Sequence, residues 1–237
     1  MTIAFGSYAD SSATFGNSLS MSIPVGTTGV LVLVMTTDAS PAATAVTVGG
    51  SATAQLGSTI VSASGELLNF DANAWLLASG APSGTQTIAA TGATDGETLI
   101  CVYTLTTGGG LAMEMIDTGS VNSASQANPT DTLTLLGRTC FCAEIWGSGQ
   151  DAVTGTTPFA SWTSRLEVDA GTLCIGSYSY NTISNVDVAS GLTQTADDIL
   201  LFSVALSEVI APEVVFKLPR RGGLRPRAFA PPGVKTR

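Results

Sequence analysis

Short apolar runs recur along this chain about every 8–14 residues, each closed by Gly, Pro, Asn or Asp. That rhythm is too short for packed helices and suits strands joined by tight turns. LSMSI at 19–23 alternates, so Leu19, Met21 and Ile23 share one face, as in a half-buried strand. VLVLVM at 30–35 is apolar throughout, which a central strand covered on both faces requires. Further strands are expected at 45–48, 54–60, 73–77, 85–89, 97–105, 140–145, 173–180 and 199–206, with an edge strand at 3–5. Shorter ones are expected at 186–188 and 192–195, with a turn at Asp197-Asp198. Residues 111–116 read equally as strand or helical turn, and the polar stretch 122–128 reads as an exposed connection.

Abundant Thr, Ser, Val and Gly with sparse charge favour strands and turns over helices. The resulting expectation is an all-β body over 1–216: an antiparallel β-sandwich, jelly-roll-like, with two small stacked sandwiches as the alternative. Two runs rhyme, GETLICVYTL at 96–105 and DDILLFSVAL at 197–206. Two central strands obeying one burial rule account for the rhyme most simply, and no regular repeat is read.

Charge divides the chain at residue 217. Segment 217–237, KLPRRGGLRPRAFAPPGVKTR, holds seven of the nine basic residues and none of the eighteen acidic ones. The preceding body has two cations and eighteen anions, a formal balance of −16. Pro219, Pro226, Pro231 and Pro232 forbid a continuous helix, and Gly222-Gly223 adds a flexible point. The segment reads as an extended basic C-terminal arm. Lys217, Arg220, Arg221, Arg225 and Arg227 would clamp carboxylates on another subunit, with Leu218, Leu224 and Phe229 as apolar anchors. Nucleic acid is the poorer partner, because so acidic a body repels phosphate.

Chemistry is conspicuous by what is missing. The chain has no histidine, which removes the commonest general base and metal ligand. It has neither a P-loop nor a Gly-x-Ser-x-Gly elbow. The paired carboxylates Asp95/Glu97, Glu114/Asp117 and Asp197/Asp198 lie in or beside turns. Oxygen ligands for calcium could come from Asp187, Asp197 and Asp198, or from Asp117 with Asn122, but none of these resembles an EF-hand and solvated carboxylates are the simpler reading. Glu144 closes an apolar run, where burial would raise its pKa. No catalytic residue, metal ligand or cofactor site is assigned. The four cysteines lie in apolar runs and are expected as buried, reduced thiols, with Cys140 and Cys142 on one strand face and Phe141 on the other. No run approaches the ~20 apolar residues of a membrane helix. The first eighteen residues lack a basic n-region and an apolar h-region, so synthesis and retention in a cytosol are expected. For a glycan, the candidate stacking rings are Trp162, Tyr178 and Tyr180.

The sequence SLSMSIPVGTTGVLVLVMTT, followed by VTVGG and WLLASGAPSGTQTI, resembles the β-sandwich virion proteins of tailed bacteriophages, as does the arm RRGGLRPRAFAP. The resemblance covers roughly 18–107 and the arm. It implies a capsid decoration protein or a head or tail fibre component, located in the virion. Its partners would be further copies of itself and other virion proteins such as the major capsid protein. A glycan-binding module that recognises host-surface sugars is the alternative expectation.

Overall fold

The computed structural model of the chain describes residues 3–37, 40–61, 70–149, 157–159, 161–169, 174–180, 185–193 and 197–210. They form an all-β body in which every strand pairing is antiparallel. The first half contains β1 (Ile3–Asp10), β2 (Ser18–Ile23), β3 (Gly29–Thr37), β4 (Ala45–Val48), β5 (Ser51–Ala52), β6 (Ala54–Val61), β7 (Phe70–Leu77), β8 (Gly84–Thr91) and β9 (Thr98–Thr107). The second contains β10 (Met113–Gln126), β11 (Thr130–Leu133), β12 (Phe141–Ser148), β13 (Thr157–Pro158), β14 (Trp162–Asp169), β15 (Cys174–Tyr180), β16 (Val188–Thr193) and β17 (Asp197–Glu208).

Strand order shows that the halves repeat one topology. The first half pairs as β1-β9-β3-β7-β6 and β2-β8-β4-β5, the second as β10-β17-β12-β15-β14 and β11-β16-β13. Each strand of the first half other than β5 has a counterpart at the same place in the second. Both halves follow a jelly-roll order, with the fifth of the eight shared strands, β6 in one and β14 in the other, carried over to the edge of the five-stranded sheet. The rhyming runs at 96–105 and 197–206 fall on β9 and β17, which are the same strand of the two repeats. The sequence reading of no repeat is therefore corrected.

Four sheets stack in layers with three cores. The two five-stranded sheets face each other across the largest core, which includes Leu31, Leu33, Met35, Tyr103, Phe141, Ile145 and Phe202. The opposite face of β3, Val30, Val32 and Val34, packs with Val46 and Ile88 beneath the β2-β8-β4-β5 sheet. In the second repeat Cys142, Trp146 and Leu201 pack with Leu133 and Leu192 in the same way. This is why 30–35 is apolar at every position. Facing sheets pack about 10 Å apart, and small residues permit the closest approaches. A Cβ on Gly147 would lie 2.8 Å from the Met35 sulfur and 2.9 Å from the Phe70 ring.

The contacts between the repeats are reciprocal. β3 faces β12, and β7 faces β17 while β9 faces β15. Likewise β6 lies beside β10 while β1 lies beside β14, where the Arg165 guanidinium sits 4.5 Å from the Phe5 ring centroid. This is the pattern of an isologous interface, here within one chain, about a pseudo-twofold axis. Phe141 at the start of β12 meets Tyr103, which pairs with Leu31 near the start of β3; Gly147 near the end of β12 meets Met35 near the end of β3. The two central strands run the same way, so the axis lies along them.

The turns follow local chemistry. Thr27 N–H bonds the Pro24 carbonyl with Gly26 at φ 88°, a type II turn that needs glycine there. Gly49 and Gly50, at φ 57° and 81°, form the two-residue loop between β4 and β5. Three sequence expectations shift. The 122–128 stretch is strand as far as Gln126, because β10 pairs along almost all of β17 with bulges at two places. The short strands expected at 186–188 and 192–195 meet in one strand, β16, as far as Thr193, with 194–195 outside the described residues, and Asp197 opens β17 instead of forming a turn.

Candidate interaction surface

The glycan rings do not form a platform. Trp162 is 5% exposed, donates its indole N–H to the Ala189 carbonyl at 2.9 Å and meets Tyr180 edge-on at 5.4 Å. Tyr178 is buried against Trp146 in the core of the second repeat. Only Tyr180 keeps partial exposure, so a stacking surface for sugar loses two of its three rings.

Four of the carboxylates accept backbone N–H bonds from other segments. Asp117 accepts from the Thr134 N–H at 2.7 Å, Asp187 from the Leu135 N–H at 2.9 Å and Asp131 from the Ser120 N–H at 2.7 Å. Asp95 accepts from the Asn17 N–H at 3.2 Å. Each ties its side chain to the backbone of another segment. Among the described residues no group of three or more Cys, Asp or Glu is arranged to hold a metal ion. Glu144 is fully buried on the face of β12 that it shares with Cys142 and Trp146, toward β16, where one oxygen accepts from the Gly191 N–H at 3.1 Å and the other has no hydrogen-bond partner. Burial holds its carboxyl well above the ordinary range, with the Gly191 bond opposing. That burial favours the protonated carboxyl within the fold.

The cysteine thiols are all buried and unbridged. Phe141 points into the central core and Cys140 and Cys142 into the outer one, as the strand alternation requires. Burial pushes Cys101 up to about 12 and Cys140 up to about 11, which makes both poor nucleophiles.

Both arginines of the body are engaged internally. Arg138 pairs with Glu114 at 2.6 Å and also donates to the Glu208 carbonyl. Arg165 donates from Nε to Ser179 Oγ at 2.7 Å and covers Phe5 between the repeats. The body thus turns no unengaged cation outward, whereas Asp95, Glu167 and Asp187 are exposed. Sequence reasoning counted these two arginines but had no signal for where they point.

The outer sheets add almost no charge of their own. Ser18, Ser20, Ser22, Thr85, Thr87 and Thr91 are exposed on one of them, and Thr130, Thr132, Ala189 and Thr193 on the other. At one end of the body, the β2–β3 and β11–β12 loops place Val25 and Leu136 in solvent at 91% and 73% exposure. The pseudo-twofold axis puts these loops at the same end. A cavity of about 180 Å³ opens beside Leu136, lined by Gly137, Arg138, Thr139, Ser207, Glu208 and Ile210. The described chain ends at that cavity. The proposed partner contacts Lys217, Leu218, Arg220, Arg221, Leu224, Arg225, Arg227 and Phe229 lie outside the described residues.

Comparison of the chain with protein-family models, curated proteins and solved structures finds no match.

Proposed function

We propose that this chain is a structural virion protein of a tailed bacteriophage, which decorates the capsid or forms part of a head or tail appendage. Its basic arm docks on neighbouring subunits. The observation that carries this reading is the separation of charge. Both body arginines are engaged internally, the remaining seven cations lie in 217–237, and the body carries all eighteen acids. An arm of that composition complements the surface of its own kind. The body offers hydroxyl-rich sheet faces and a layered β stack, properties suited to a passive shell component. Jelly-rolls also serve as lectins and enzymes, so the fold supports the reading by analogy only.

The test is co-sedimentation of the purified protein with shells of the phage that encodes it, at low and high salt. The proposal expects saturable binding that salt weakens and that replacing Arg220, Arg221, Arg225 and Arg227 by Gln abolishes. Protein that stays in the supernatant under every condition refutes it.

A further inference from the structure

Sheet edges are templates for foreign strands, and proteins guard them with short strands, bulges, charge or cover. Most edges of this body are guarded. β5 and β13 have two residues each. β1 and β14 carry bulges, and β6 lies against β10, where Asn122 donates to the Val61 carbonyl at 2.7 Å. β11 has four residues and carries Asp131, whose carboxylate is tied to β10 through Ser120. Its counterpart β2 has none of these guards. Ser18–Ile23 is six residues long, has no charge, proline or glycine, and pairs with β8 in unbroken register. Among the described residues no hydrogen bond reaches its outer edge. Alternation leaves roughly three N–H and three C=O groups facing outward there.

The chain beyond Ile210 contains one segment suited to that edge. Residues 213–218, EVVFKL, are six in number and lie between Pro212 and Pro219, which stop a strand at either end. Every other part of 211–237 is interrupted by proline or glycine within a shorter span. Val214, Phe216 and Leu218 would share one face and extend the core at Met21 and Ile23, leaving Glu213, Val215 and Lys217 beside the exposed Ser20.

The segment cannot reach its own β2. Ile210 follows β17, in the central sheet of the second repeat, whereas β2 belongs to the outer sheet of the first. Those sheets are two layers apart, about 20 Å. Three residue steps from Ile210 to Glu213 span at most about 11 Å. We infer that 213–218 of one copy adds as a strand to the free edge of β2 in a neighbouring copy, with the arginine-rich arm beyond it lying on that neighbour's acidic surface. This rests on the arm-docking reading above and names its register strand and its receptor.

The test uses the full chain. Amide hydrogen exchange of 18–23 is followed above and below the concentration at which the protein associates, alongside the variant Val215→Pro. That substitution lies outside the described residues and removes a donor from the proposed strand. The expected result is a slowing of about tenfold or more in 18–23 exchange on association, with association weakened at least about tenfold in V215P. Unchanged 18–23 exchange on association, or wild-type association of V215P, overturns the inference. The variant with Arg220, Arg221, Arg225 and Arg227 replaced by Gln separates the two readings. If it alone fails to associate, the arm docks without strand addition; if it and V215P both associate normally, arm docking falls as well. A wild-type chain that is monomeric at every concentration overturns both.

Discussion

Replacing Glu144 by Gln should make the protein less sensitive to alkali. Glu144 is fully buried on β12, and burial raises its carboxyl well above the ordinary 4.5. Between that ordinary value and the raised native one, the folded protein holds a proton that the unfolded chain has released. Stability is therefore full below the ordinary value and falls as pH rises toward the native one, at ~1.4 kcal/mol per pH unit. Gln cannot ionise, and its carbonyl can still accept the Gly191 N–H now bonded at 3.1 Å. Its amide donors, like the acid proton they replace, face a pocket where one Glu144 oxygen has no partner, which sets a constant offset of ~1–3 kcal/mol against the variant. The pH dependence is independent of that offset. Urea unfolding of both proteins at half-unit pH steps, read by the fluorescence of the buried Trp146 and Trp162, gives the difference directly. The E144Q-minus-wild-type stability should climb by ~1.4 kcal/mol per pH unit above the ordinary range until the native carboxyl ionises. A difference that stays flat with pH would show that Glu144 is ionised in the fold and refute the assignment.

Gly176→Ala should cost ~1–3 kcal/mol or more by overpacking, since a Cβ there would sit 2.5 Å from the Trp146 indole; thermal melting checks it. Tyr103→Phe should cost ~1–2 kcal/mol, because its hydroxyl bridges the repeats to Ser177 Oγ at 2.6 Å; a denaturation midpoint equal to wild type would contradict that bond. Phe141→Ala, in the seam between the repeats, should cost ~3–5 kcal/mol in the same assay. A thiol reagent at mild alkaline pH should label none of the four cysteines in the folded protein and all four in denaturant, and rapid native labelling would show the burial to be wrong.

Strand positions were legible because burial writes a period into the sequence. The uniform run at 30–35 marked a strand with a core on each side, and LSMSI marked one with a single buried face. Turn chemistry was equally plain at Pro24-Val25-Gly26 and Gly49-Gly50. The duplication was not, because burial constrains the class of side chain and not its identity. Cys101 and Tyr103 stand on β9 where Phe202 and Val204 stand on β17, all facing the same central core. The polar tract of β10 hid a strand because its partner β17 supplies the burial. Trp162 and Tyr178 looked available in a polar sequence, yet pairing of β14 with β15 turned both inward. The engagement of Arg138 and Arg165 depends on residues far away in sequence, Glu208 and Phe5 among them, so no local pattern could announce it.

The arm's part in assembly is tested most directly by light scattering coupled to size-exclusion chromatography, applied to the full chain and to 1–216 at low and high salt. The described body closes its cores before residue 211, so the shortened chain should stay folded. The account expects association of the full chain alone, weakened by salt as screening shortens the reach of the arginines. Identical masses for the two proteins at both salt concentrations, with the shortened chain binding shells as well as the full one, would contradict it.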